Sequence, residues 1–158
     1  MKNKTILSVI LFICIFALIS AYFVEYILGY KPCNLCLIER LPYFFATLII
    51  FFSLIINRFE KFFLIFLGLI FASGTILSFY HFGIEQDFFK ESLVCTSSNE
   101  INSLTKEDLI KELPKKVVSC KDVQFTLFGL SLATINTIIS FMLSVITFKL
   151  FLNYEKNR

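Results

Sequence analysis

The stretch "YKPCNLCLIERLPYFFATLIIFFSLII", residues 30–56, carries both the fold and the chemistry of this chain. From Leu35 to Ile56 its only charges are Glu39 and Arg40. A helix rising about 1.5 Å per residue needs roughly 20 residues to cross a hydrocarbon core about 30 Å thick, and this run has that length. Three more runs of the same kind lie outward from it, at Thr5–Val24, Phe62–Phe79 and Phe125–Phe148. With 57% hydrophobic residues, 21 phenylalanines and a mean hydropathy of +0.78, the 158-residue chain is too apolar for a soluble domain of its size. The expected architecture is an all-α polytopic membrane protein. Residues 1–158 form one membrane domain, a four-helix bundle with a long loop over residues 81–122 between the third and fourth spans. The first run is too long for the roughly 7–15 apolar residues of a signal peptide, so it reads as a span despite Lys2 and Lys4 before it.

Charge sets the expected orientation. Four spans put both termini on one side, with seven basic residues against two acidic ones, Glu60 and Glu155. The opposite side holds eight basic residues against ten acidic ones. Lys and Arg accumulate on the cytoplasmic side, so the termini are expected there and the long loop outside. The net charge of +3 is thereby a topology signal and gives no reason to expect a nucleic-acid partner; the lipid bilayer is the expected partner surface.

This topology collects four of the five cysteines, Cys33, Cys36, Cys95 and Cys120, on the oxidising side of the membrane. Cys14 lies inside the first span and reads as an inert buried thiol. A helix starting just after Pro32 puts Cys33 and Cys36 on one face, with Arg40 one turn below Cys36. A helix N-terminus and a guanidinium both favour a thiolate over a thiol of ordinary pKa near 8.5. Pro42 should kink the second span and free backbone groups at that depth. In the loop, Thr105 to Pro114 reads as a short capped helix with an apolar edge. Small residues at Gly68, Ala72, Gly74 and Ser78 suit close helix packing. Tyr22, Tyr26, Tyr30 and Tyr80 suit an interfacial belt.

Three readings of the cysteines compete. Four thiolates could bind zinc, but structural zinc sites favour paired C-x-x-C knuckles and only one pair here has that spacing. Two disulfides could simply brace the extracytoplasmic loops of a non-catalytic protein. A Cys95–Cys120 bond would contribute about 3.5 kcal/mol of loop-closure stabilisation, but a bond between cysteines three apart constrains little chain. The third reading is a redox pair, for which C-x-x-C is the usual spacing.

Beyond spacing, "PCNLCLIER" (residues 32–40), "YHFGIEQ" (80–86), "VCT" (94–96) and "CKDVQFTLFGLSLATIN" (120–136), in this order among four spans, resemble the bacterial disulfide-bond-formation protein B (DsbB) family. The resemblance covers nearly the whole chain. Tryptophan is absent, with Phe125 and Ile135 standing where family members often carry an indole. The vitamin K epoxide reductase family also joins four helices, cysteines and quinones, but its C-x-x-C follows its loop pair, the reverse of the order here.

The resemblance implies a quinone-dependent thiol oxidase of the bacterial inner membrane. A reduced periplasmic thioredoxin-like donor, DsbA-like, would attack Cys95 and displace Cys120. Cys120 would engage Cys33, and Cys36 would face a membrane quinone, ubiquinone or menaquinone, drawn from the quinone pool. Arg40 and His81 are the implied cofactor-binding residues, with Glu39 orienting its neighbours. DsbA, the type case of a strong periplasmic oxidant, is poised near −120 mV. A thioredoxin-like disulfide near −270 mV would reoxidise it only against a gap of about 150 mV, or about 7 kcal/mol, hence the need for a stronger acceptor.

Overall fold

The computed structural model describes residues 2–56, 60–91, 95, 119–123, 125–127 and 129–156. Helix α1 spans Lys2–Tyr26, α2 Asn34–Ile38, α3 Arg40–Ile55, α4 Glu60–Glu85 and α5 Leu132–Lys156, with a two-stranded pairing of β1 (Thr126–Leu127) and β2 (Leu130–Ser131) before α5. Four helical stretches are long and apolar enough to cross a membrane: Lys4–Tyr26, Asn34–Ile55, Lys61–Glu85 and Leu132–Tyr154. The four-span bundle expected from hydropathy is therefore present. The expected loop helix at Thr105–Pro114 lies outside the described residues.

The second span is broken just before Pro42, which the sequence marks as a kink. Pro42 has no N–H to offer the carbonyl of Ile38, and its ring crowds that carbonyl. The helix accordingly stops at Ile38 and restarts at Arg40, with Glu39 at the junction donating its N–H to the Leu35 carbonyl at 2.9 Å. The break turns Glu39 inward, where it is buried.

Two boundaries differ from the hydropathy runs. The third run was expected to end at Phe79, but α4 continues to Glu85, because His81 and Glu85 find polar partners inside the bundle. It closes in a Schellman turn: Phe88 N–H bonds the Gly83 carbonyl at 2.8 Å and Asp87 N–H the Ile84 carbonyl at 3.1 Å, with Asp87 left-handed at φ 61. The fourth run was expected to start at Phe125, but α5 begins at Leu132. Thr126–Leu127 and Leu130–Ser131 instead pair as a tight hairpin, Thr126 with Ser131 and Leu127 with Leu130, and Gly129 between the strands takes φ +80. Ser131 then caps α5, its Oγ accepting from Thr134 N–H at 3.2 Å.

Helix packing follows the small residues of α4. A Cβ on Gly74 would lie 3.2 Å from Pro42, and one on Gly68 3.8 Å from Thr147 Oγ1, so α4 approaches both α3 and α5 through glycine. The main core joins Leu7, Ile10, Tyr43, Ala46, Leu64 and Phe71 with their neighbours on α5, and Cys14 is buried in it as a free thiol. Large apolar side chains such as Phe12, Phe16, Phe62, Phe66, Phe141 and Phe148 point outward. An apolar exterior on a bundle whose backbone is satisfied within each helix is the arrangement a lipid surroundings requires.

Candidate redox site

A second, smaller cluster sits apart from the main core. It buries Cys33, Leu35, Ile84, Cys95 and Cys120 together, with Cys36, Ile38 and Tyr80 packed on it. All four cysteines singled out in the sequence thus meet, although they come from three separate parts of the chain. Cys95 and Cys120 are bonded, with Cα atoms 5.4 Å apart. The chain around Cys120 is tied to the segment after α4: Ser119 Oγ donates to Glu91, Lys121 N–H donates to the same carboxylate at 3.1 Å, and Lys121 Nζ pairs with Asp87 at 2.5 Å.

Cys33 is the N-cap of α2, and its sulfur accepts from Cys36 N–H at 3.2 Å. That geometry brings the two Sγ atoms to 2.6 Å, beyond the roughly 2.05 Å of a bond but within a small displacement of one. His81 Nε2 lies 3.6 Å from Cys33 Sγ. The hydrogen bond from Cys36, opposed by burial and helped by His81, pushes the Cys33 thiol down to about 5. Cys33 is almost wholly buried, whereas Cys36 keeps partial exposure.

Arg40 occupies its expected place on the helix, but its charge is engaged elsewhere. Its Nη1 donates to Glu25 Oε2 at 2.5 Å, and its guanidinium lies 5.1 Å from the Tyr22 ring centroid, so α1 holds it. The cationic donor expected from Arg40 is thereby turned toward α1, and the side chain that reaches a sulfur is His81. Nδ1 of His81 lies 2.7 Å from Glu39 Oε1, and Glu85 Oε1 is 3.9 Å from Nε2.

Several polar groups of this site were not singled out in the sequence. Asn136 on α5 donates through Nδ2 to Glu39 Oε2 at 2.6 Å and to Ser78 Oγ at 2.8 Å. Tyr43 OH donates to Asn136 Oδ1 at 2.5 Å and also meets Ser140 Oγ at 2.8 Å. Ser131 Oγ donates to Glu85. The available signal was Asn136 within the fourth apolar run, where a polar group is costly unless partnered; Glu25 and Glu85 fall past the ends of the first and third runs.

The ligand atoms of Cys33, Cys36 and His81 all lie within 4.8 Å of one another, a donor set that zinc accepts. Tetrahedral zinc with Zn–S near 2.3 Å would hold two sulfurs about 3.8 Å apart. At 2.6 Å the present spacing suits a bond between the sulfurs better than an ion between them.

The family model described as "Disulfide bond formation protein DsbB" matches residues 3–150. The chain belongs to the DsbB family. An uncharacterized protein of Rickettsia prowazekii (strain Madrid E) is 33% identical over 158 residues, covering 99% of this chain and 91% of the relative. Membership of DsbB makes this a multi-pass membrane protein of disulfide bond formation and fits the bundle and the paired cysteines.

Proposed function

We propose that this DsbB-family protein is a quinone-dependent thiol oxidase of the bacterial inner membrane, with cytoplasmic termini and its cysteine loops in the periplasm. Its substrate is a reduced, thioredoxin-like, DsbA-like donor. A donor thiolate attacks Cys95, the Cys95–Cys120 bond breaks, and Cys120 leaves as a thiolate; the donor's second thiol then releases Cys95 and completes the donor's disulfide. Cys120 attacks Cys33 of a Cys33–Cys36 disulfide, expelling the Cys36 thiolate. Attack of Cys95 on Cys120 re-forms the loop bond and expels Cys33. Two electrons and two protons have then moved from the donor to the Cys33/Cys36 pair.

A bound ubiquinone or menaquinone supplies the acceptor for those two electrons and two protons. The residues present fit such a group. Cys36 is the member of the pair open to the outer surface, and Leu37 and Leu41 on the same segment are exposed and apolar. Arg40, held by Glu25 at the same level, is the candidate donor to a quinone oxygen, and His81 the candidate carrier of the protons.

The observation that carries this reading is the packing of both cysteine pairs into one cluster, one pair bonded and the other 2.6 Å apart. Two independent braces need not touch, whereas an exchange relay must. The test is quinone absorbance with purified protein, ubiquinone and a reduced thioredoxin-like donor, for wild type and Cys36→Ala. Quinone reduction that requires Cys36 supports the oxidase. Silence with ubiquinone, menaquinone and several donors, with both disulfides intact, favours a structural brace.

A further inference from the structure

The polar network beneath Cys33 is larger than a relay of sulfurs needs, and it is built from three spans. Cys33 Sγ meets His81 Nε2 on α4; His81 Nδ1 meets Glu39 at the α2–α3 break; the other oxygen of Glu39 meets Asn136 on α5. Glu39, His81 and Ser78 are buried, and in an apolar interior a polar group held without a partner costs about 1–3 kcal/mol. Such a network persists only when its members satisfy one another. Asn136 is its junction. Its amide spends both hydrogens, on Glu39 Oε2 and Ser78 Oγ, and its carbonyl accepts from Tyr43 OH, which Ser140 anchors in turn. Glu39 therefore presents Oε1 to His81 because Asn136 holds Oε2.

We propose that His81 takes and returns the Cys33 proton, that Glu39 orients the imidazole for it, and that Asn136 is the positioning residue that fixes Glu39. This rests on the oxidase reading and names further residues of the same site. With Nδ1–H donated to Glu39, Nε2 presents a lone pair to the sulfur. The Cys33 S–H bond breaks, its electron pair stays on sulfur, and the proton forms the Nε2–H bond. The product is a thiolate beside an imidazolium that the Glu39 carboxylate compensates, with no change of total charge. A thiolate-stabilising environment serves Cys33 twice: as the sulfur expelled when the loop bond re-forms, and as the nucleophile when the pair closes again. The titratable groups around Cys33 are Cys36 and Glu39 on its own segment and His81 and Glu85 from α4, while α5 contributes the uncharged Asn136.

The test needs neither quinone nor donor, so it stands apart from the oxidase assay. In full-length protein carrying Cys14→Ala and Cys36→Ser, Cys33 is the sole free thiol and keeps a hydroxyl neighbour. Its thiolate absorbance at 240 nm is followed from pH 4 to 9, together with helix content and thermal stability. Asn136→Leu is expected to raise the midpoint by at least about one pH unit, a tenfold loss of thiolate at pH below it. Glu39→Gln should do the same while preserving shape. Tyr43→Phe leaves Asn136 in place but unanchored; it should shift the midpoint in the same direction by less, and it decides the matter where Asn136→Leu does not fold. Thr147→Val, a buried polar loss on α5 about three turns away, should leave the midpoint unchanged. An unmoved midpoint in the folded Asn136, Glu39 and Tyr43 variants, or an equal shift with Thr147→Val, overturns the proposal. Shifted midpoints in a protein that reduces no quinone would leave it standing and overturn the oxidase reading instead.

Discussion

Arg40 and Glu25 offer a sharp test of the geometry, because hydropathy alone would treat them as two unrelated blemishes in separate spans. Their atoms meet at 2.5 Å, with side chains 15% and 21% exposed. For charge centres about 4 Å apart at an effective dielectric of about 20, the attraction is about 4 kcal/mol. Desolvation of both ions offsets part of this, so the pair contributes little net stability, but removing one partner strands the other at a cost of about 3–5 kcal/mol. Glu25→Gln and Arg40→Gln should each destabilise by about 3 kcal/mol, and the double variant by about the same rather than by about 6. The expected coupling is therefore roughly 3 kcal/mol. The assay is reversible unfolding in mixed detergent and denaturing micelles, followed by helix content, for wild type, both singles and the double. Additivity to within about 0.5 kcal/mol would show that the two charges do not meet, and the placement of Arg40 against α1 would fail with it.

Three further outcomes follow from single contacts. In the reduced protein, the Cys33 thiolate should persist through neutral pH and be lost only as pH falls through about 5; Cys36→Ala removes the leading cause of that depression, so the midpoint of the 240 nm titration should climb toward about 8.5, cutting the thiolate fraction at pH 7 by up to about thirtyfold. Gly74→Leu should destabilise by about 1–3 kcal/mol or more, since even its Cβ would stand 3.2 Å from Pro42, whereas Gly68→Ala, facing only Thr147 Oγ1 at 3.8 Å, should stay within about 0.5 kcal/mol in the same micelle assay. Ser53→Ala should be neutral or stabilising by up to about 1 kcal/mol, because the buried Ser53 Oγ has no hydrogen-bond partner among the described residues and is surrounded by Leu7, Ile50, Leu64 and Leu67.

The spans were legible because a membrane demands about 20 apolar residues in a row, and a kink in the second span because Pro42 cannot continue the ladder; that the break falls at Glu39, three residues before it, was not. The end of α4 and the start of α5 were not, for a common reason. His81 and Glu85 look like the end of a hydrophobic segment, yet tertiary partners keep them helical; "TLFGLS" looks like its beginning, yet Thr126–Leu127 and Leu130–Ser131 pair as a hairpin. Of the site, the cysteines declared themselves by spacing and His81 by resemblance. Arg40 was legible by its register one turn below Cys36, but a long flexible side chain is placed by its best partner, and Glu25 on another span was invisible to a reading of one helix. Asn136 was missed because a single amide in an apolar run has no pattern; only its three partners give it meaning.

The dependence of Glu39 on Asn136 also bears on how the molecule is made. Ribosomes deliver the spans in order, and the fourth, which carries Asn136, comes last. Until it enters the bilayer, the carboxylate at the helix break lacks one of its two donors and Ser131 is not yet there for Glu85. The first three spans can be inserted and even packed, but the polar centre stays incomplete, and so does the setting that favours a charged sulfur at Cys33. A nascent chain thus lacks the full setting of an activated thiol at Cys33 until its final helix arrives.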